Sequence, residues 1–228
     1  MAKRQERGAK YDARRAEIID TAARLFARNG YAETTIADIS DATKLGKGGL
    51  YYYIGSKESL LVEIHERVMD PLLRTAKLIL DLDTSPPVRL QLLSEDLVVN
   101  IMERLDHVWV FLHEHRALKG DLLDAFKSRR AAYRGTITSV LGDGDAEGYF
   151  AIEELTLTTM TFLGMHNYTY QWVRPDARLG PRDISRHYCA LFLRGIAGPK
   201  LVGVDVEAEV ARLRPELLAL IETEPAGA

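Results

Sequence analysis

Between Thr35 and Lys57 the chain gathers a threonine hydroxyl, the lysines Lys47 and Lys57, the glycine pair Gly48-Gly49 and the run Tyr51-Tyr52-Tyr53. No nucleophile stands beside a base there, so the chemistry on offer is recognition of a polyanion. Ammonium and hydroxyl groups hold phosphates, and a tyrosine ring can meet a thymine methyl. Two glycines cost a helix about 1 kcal/mol each relative to alanine. A sequence that accepts that cost needs its backbone close to something, and the floor of a DNA groove is one such surface. Successive helical residues point about 100° apart, so three tyrosines in a row cannot all be core. Tyr52 is expected outside and Tyr53 inside. Gly46-Lys47-Gly48-Gly49 also hints at a phosphate loop, but it lacks that motif's spacing and follows a helix instead of a strand.

A second set of candidates lies further along. Trp109, Phe111, His113, Phe126 and Arg130, with Met160, His166, Asn167 and Tyr170, put polar handles on otherwise apolar helices. They are read as the lining of a small-molecule pocket, against the plainer reading of core packing. His113 and His115 stand at i, i+2, on opposite helix faces, and no HExxH occurs, so no metal is expected. Asp143, Asp145 and Glu147 lack the glycine and closing glutamate of a calcium loop. No catalytic constellation or cofactor loop stands out, so an enzyme is not expected. Lys127, Arg129, Arg130 and Arg134 form a basic cluster that is either a solvated face or a seat for a bulky anion.

The elements that must carry these residues are helices. Ile18, Ala22, Leu25 and Phe26 follow an i, i+4, i+7, i+8 stripe stopped by Asn29-Gly30. Thr34-Thr35 open a short helix with Ile36, Ile39 and Ala42 inward. A break at Leu45-Gly46 precedes a shorter segment, Lys47 to Tyr53. Ser56 then caps a long helix through Leu60, Leu61, Ile64, Val68 and Leu72. Longer helices are expected over about 86–105, 106–119, 121–141, 149–174, 181–196 and 206–222, with Pro175 stopping the fourth of these. Period-two alternation is absent, so the fold class is all-α. Residues 1–14 read as a flexible basic arm, 15–60 as a three-helix helix-turn-helix domain and 61–224 as a larger helical bundle.

Charge divides along the same line. Residues 1–60 hold 11 Lys/Arg against 8 Asp/Glu, and the remainder 19 against 25. A basic head on an acidic body suits an anionic partner for the head alone. No apolar stretch is long enough to cross a membrane. Cys189 is the single cysteine and the N-terminus lacks a signal-peptide run, so a cytoplasmic location is expected.

Residues 14–62 resemble the DNA-binding domain of TetR-family repressors. The matching pieces are RAEIIDTAARLFARNG (Arg15–Gly30), YAETTIADI (Tyr31–Ile39), KGGLYYY (Lys47–Tyr53) and SKESLL (Ser56–Leu61). The resemblance implies phosphate contacts from Thr35, Tyr52 and Lys57, and base contacts from Lys47, Gly48, Gly49 and Tyr51. It further implies a homodimer on palindromic double-stranded operator DNA, paired through the last long helices and released by a small-molecule effector. The chain departs from the family at Gly46, where a capping serine is usual, at Gly49 and at Ile54, so relatives do not give its operator sequence. Residues 170–196 are similar to repressors of sterol or fatty-acid breakdown, which points to an acyl-CoA thioester as effector. A helical adaptor or ligand-binding protein that ignores DNA is the alternative. No cofactor is expected.

Overall fold

The computed structural model describes residues 2–174 and 178–223, with side chains from residue 8 onward. Its helices are α1 (Ala2–Asn29), α2 (Ile36–Thr43), α3 (Lys47–Ile54), α4 (Lys57–Asp81), α5 (Pro86–Glu103), α6 (Leu105–His113), α7 (Gly120–Ala146), α8 (Leu155–Asn167), α9 (Pro181–Gly195) and α10 (Val206–Thr223). Short 3-10 turns occupy His115–Ala117, Tyr168–Gln171 and Pro199–Gly203. Among the described residues extended pairing is limited to one isolated bridge, Phe150 with Ala197. The chain divides into two compact units, Met1–Met69 with Arg104–Ser128, and Asp70–Glu103 with Arg129–Ala228.

In the first unit α1 buries Ile18, Ile19, Ala22, Ala23 and Phe26. The same stripe that marks the helix in the sequence thus faces the core. Gly30, at φ 86°, ends the helix in a left-handed turn that suits glycine. Leu50, Ile54, Leu60, Leu61 and Ile64 complete this core from α3 and α4. α6 packs on α1, and Glu114 just beyond it accepts a hydrogen bond from the Tyr31 N–H at 3.1 Å. A polar chain also ties the helices together. Arg67 of α4 donates to Asp20 of α1 at 2.9 Å. Arg15 of α1 pairs with Glu63 of α4. His107 of α6 lies 3.3 Å from Asp20.

The second unit is built around α5. Val88, Leu90, Leu92, Leu93, Leu97, Val98 and Ile101 are buried on nearly all sides of it, as befits a helix enclosed by others. It packs against α8, α9 and α10. Within its buried stretch Glu95, 9% exposed, is drawn into ion pairs. Arg214 of α10 grips both its oxygens at 2.8 Å, and Arg182 of α9 donates at 3.1 Å. Removing one partner of such a cluster strands the others. Glu95→Gln is therefore expected to lower unfolding free energy by about 2–3 kcal/mol, reduced from the fully buried case because Arg182 is half in water. Urea titration of both proteins checks this, and equal midpoints would contradict it.

Several boundaries differ from the sequence expectation. α1 starts at Ala2, so residues 2–14 are backbone helix where a flexible arm was expected. α6 ends at His113, giving way to a 3-10 turn short of residue 119. α7 runs past Gly142-Asp143-Gly144 to Ala146. Gly144 serves packing there, because a Cβ would lie 2.2 Å from the Phe150 ring; the chain turns instead at Gly148, φ 82°. Asp145 is spent on the Ile152 N–H at 2.8 Å. The long helix expected over 149–174 is shortened to α8, capped by Glu154. Its expected stop, Pro175, lies outside the described residues. Ala42 is exposed, and Thr43 takes the inward position at the end of α2.

Candidate DNA-binding site

α2 and α3 form the expected pair, joined by Lys44-Leu45-Gly46. Thr35 caps α2 through a capping box. Its hydroxyl accepts the Asp38 N–H at 3.2 Å, and the Asp38 carboxylate accepts the Thr35 N–H at 2.7 Å. These bonds hold the Asp38 carboxyl below the usual carboxylate range. The sequence reading treated the N–H groups at this end as open to phosphate. In the structure two of them are taken, which leaves those of Ile36 and Ala37 as the donors at this terminus. Lys44 closes α2 in a left-handed conformation, φ 56°.

α3 starts at Lys47 with Gly46 as N-cap and no side-chain cap bond, the consequence expected from the missing serine. Leu50 and Ile54 face inward. Lys47, Gly48 and Gly49 are exposed, with Tyr51 48% and Tyr52 71% exposed and Tyr53 half-buried. A Cβ added at Gly48 would meet nothing within 4 Å, and at Gly49 only Leu45 at an ordinary 3.9 Å. The protein's own packing therefore does not require these glycines.

Lys57, at the start of α4, reaches back to the α1–α2 connection. Its ammonium lies 4.3 Å from the Tyr31 ring centre and 3.4 Å from the Ala32 carbonyl. Partial burial pulls its pKa down, and Glu114, Glu33 and Asp38 oppose that shift. Lys57 and Asp38 thus bring the α2 N-terminus and the α4 N-terminus into one electrostatic neighbourhood.

Three residues of α1 that the sequence reading passed over, or counted as part of a basic arm, brace this unit. Arg14 donates to the Thr43 carbonyl at the end of α2 at 2.6 Å. Arg15 donates to the Tyr53 carbonyl of α3 at 3.1 Å. Cations at helix C-termini offset both the unpaired carbonyls and the negative end of the dipole. Tyr11 stacks on Tyr53 at 4.9 Å and meets the edge of Tyr52 at 5.5 Å. The available signal was spacing: Tyr11 lies one helical turn before Arg14 and Arg15.

The pocket candidates divide between the two units. In the first, Phe111 and Phe126 come together at 5.2 Å, with His65 4.9 Å from Phe126 and 5.6 Å from Phe111. His65 escaped the sequence reading because it sits within an ordinary amphipathic pattern. It is buried, and its Nε2 has no partner among the described residues. His113 is exposed and stacks on Trp109 at 4.5 Å. In the second unit Arg130 and Met160 are exposed, and Asn167 and Tyr170 half-buried. His166 is fully buried with both nitrogens satisfied. Nδ1 donates to the Phe162 carbonyl at 2.7 Å, and Nε2 accepts from the Ser94 hydroxyl at 2.7 Å. Burial pushes its pKa down to about 4, so it is a neutral core group rather than an open handle. Burial likewise pushes the Cys189 thiol up to about 12, which leaves it unreactive. Also in this unit the buried Tyr133 hydroxyl has no partner among the described residues.

Residues 18–64 match the family described as bacterial regulatory proteins, tetR family. Residues 83–196 match the tetracyclin repressor-like C-terminal domain. The chain belongs to the TetR family. This TetR-family regulator is 28% identical over 191 residues to the HTH-type transcriptional repressor KstR2 of Mycobacterium tuberculosis, covering 81% of this chain and 94% of that protein. The solved structure of that ketosteroid transcriptional regulator superposes with a TM-score of 0.76 at 28% identity, over 81% of this chain and 95% of the other. AibR, solved in complex with isovaleryl coenzyme A and operator DNA, gives 0.69 at 28% identity, over 78% and 97%. The chain is thus a transcription regulator with an N-terminal helix-turn-helix and a C-terminal helical domain, and its relatives are transcriptional regulators, not enzymes. No helix of the described residues is long and apolar enough to cross a membrane.

Proposed function

We propose that the protein is a repressor that binds a palindromic operator as a homodimer and is released by an organic effector, an acyl-CoA thioester or a related bulky carboxylic-acid derivative. The observation that carries the DNA half is the exposed face of α3. Gly48 opens onto empty space and Gly49 leaves ordinary room beside Leu45, next to exposed Lys47, Tyr51 and Tyr52. In this reading Lys47, Gly48, Gly49 and Tyr51 meet base edges, while Thr35, Tyr52 and Lys57 meet phosphates. Two-fold protein symmetry demands a near two-fold site.

The effector half is supported by the likeness to AibR, and by two buried polar atoms that lack partners among the described residues, His65 Nε2 and the Tyr133 hydroxyl. Such groups cost about 1–3 kcal/mol each until something bonds them, and a ligand's acceptor or donor can do so. The effector works by binding one conformer better, shifting the population away from the DNA-competent one. A coupling of about 1–3 kcal/mol makes a usable switch, and it must be reciprocal. Calorimetry with a panel of acyl-CoAs, with and without operator, is expected to show one member binding more weakly by the same factor by which it loosens DNA. A panel without any binder removes the acyl-CoA assignment. A binder that leaves operator affinity unchanged removes the switch.

A further inference from the structure

α9 ends at Gly195, and the chain turns through Pro199–Gly203 to return as α10, leaving a groove between the two helices within the second unit. α5 supplies its floor through Gln91 and Glu95. One end, about 110 Å³, is lined by Arg182 and Arg186 of α9 and by Val210 and Arg214 of α10. The other, about 470 Å³, is lined by Ala190 and Leu193 of α9 and by Val202, Val204 and Val206. Gln91, Arg186 and Glu207 line both, so the two are continuous.

The order of residues gives the groove a direction. Arg182, Arg186, Ala190 and Leu193 recur at helical spacing and so share one face of α9. That face changes from cationic to aliphatic along its length. Opposite it, Arg214 shares Glu95 with Arg182, Glu207 lies 3.6 Å from Arg186, and Val202 to Val206 flank the aliphatic end. Val202 is 91% exposed, so apolar surface at this end stands in water. From Arg186 to Leu193 α9 advances about 10 Å, the reach of a medium-length alkyl chain.

Most acids around the groove are already committed. Arg214 holds both oxygens of Glu95. Asp183 accepts the Gly180 N–H at 3.0 Å, and Asp205 accepts the Ala208 N–H at 3.0 Å. Arg182 uses its Nε on Glu95, at 3.1 Å. Arg186 stands 3.6 Å from Glu207 and 3.8 Å from Asp183, beyond hydrogen-bonding range of either. Both guanidiniums are half-exposed and one helical turn apart, an arrangement that suits a planar carboxylate. Glu207 beside them admits one negative charge and opposes a second.

We infer that this groove is a second ligand site that binds an aliphatic carboxylate, with Arg182 and Arg186 holding the acid group and Ala190, Leu193 and Val202 lining the alkyl tail. None of the effector candidates named above lines it, so the inference does not depend on the proposed effector. A thioester of the same acid lacks the free carboxylate that the arginines require.

The test is calorimetry of the full-length protein with octanoate, octanol, octyl phosphate and octanoyl-CoA. Octanoate is expected to bind, and octanol at least about ten-fold more weakly, because it lacks the charge that the arginines hold. Octyl phosphate, which carries a second charge, is expected to bind more weakly than octanoate. Arg186→Gln is expected to weaken octanoate about ten-fold. Its thermal unfolding without ligand stays unchanged, since the ion pairs of Arg186 are long and half in water. Arg186→Lys keeps the charge without the fork and falls between. Val202→Asp, at an exposed position, is expected to weaken octanoate about ten-fold by setting a charge against the tail. Octanoate raises the melting temperature of the native protein and not that of Arg186→Gln. Absence of octanoate binding, equal binding of octanol, or tighter binding of octyl phosphate would each overturn the inference. Octanoyl-CoA binding that falls in parallel with octanoate in Arg186→Gln makes the groove the effector site itself and overturns a second one. A changed molecular mass of Arg186→Gln with octanoate binding intact gives the groove to a second copy of the chain, and overturns the inference too.

Discussion

Gly48→Glu is expected to abolish operator binding while the protein stays folded. The position is exposed and a side chain there meets no atom of the protein within 4 Å, so the fold has room for the carboxylate. Glutamate is a better helix former than glycine by up to about 1 kcal/mol. An acid in the first turn of α3 also suits the positive end of the helix dipole. Thermal stability should therefore be unchanged or slightly raised. At a DNA groove the effects reverse. The side chain occupies the space that brings the backbone close to the bases, and its charge opposes the phosphates. The loss expected is more than about 100-fold at moderate salt, combining steric exclusion with at least one lost phosphate-equivalent charge. Gly48→Ala should fall between, with stability slightly up and affinity down. Parallel melting curves and anisotropy titrations separate the two effects. Undiminished operator affinity in Gly48→Glu would show that α3 does not enter the groove at this point.

The second large effect is a collapse of stability in mild acid. His65, His107 and His166 are buried, and burial pushes each pKa down to about 4. For His107 the Asp20 carboxylate opposes the shift, yet desolvation outweighs it. In the unfolded chain each imidazole returns to about 6.5. Between pH 6.5 and 4 the unfolded state therefore binds more protons than the folded one, and stability rises with pH across that window. Read downward, stability is fully present above the unfolded pKa and drains as pH falls toward the folded value. At about 1.4 kcal/mol per unit, each histidine contributes up to about 3 kcal/mol. Three together rival the entire stability of a typical domain. Denaturant midpoints should be flat from pH 8 to 7 and fall steeply below pH 6. His166→Gln and His107→Gln should each flatten the profile while lowering its plateau. A flat profile down to pH 4.5 in the native protein would contradict the burial of neutral imidazoles.

The helices themselves were largely legible, for reasons visible at particular residues. Ile18, Ala22 and Phe26 bury because the 3.6-residue repeat puts them on one side. Thr35 and Gly30 act as cap and stop because short-range backbone bonding decides both. Boundaries failed where a distant residue intervened. Gly144 reads as a breaker but stays helical because Phe150 needs the space its missing Cβ leaves. The site was legible in the same uneven way. Tyr52 is outside as expected, whereas Tyr53, expected inside, is half-buried against Tyr11. The bracing of α3 by Arg15 was not legible, because it joins positions far apart in the chain.

By itself the sequence determined that this protein is all-helical, with a basic head carrying a short recognition helix whose glycines and tyrosines suit a DNA groove. Those properties depend on local periodicity, capping and charge, which act between near neighbours. The tertiary structure alone decided that His166 is a satisfied core group and that His65 and Tyr133 bury polar atoms without partners among the described residues. It also decided that Glu95 holds Arg182 and Arg214, and that Tyr11 stands against Tyr52. Each of these depends on which distant side chain arrives within a few ångströms. The same residue type costs or contributes several kcal/mol according to whether a partner meets it there, and chain-local patterning does not encode that meeting.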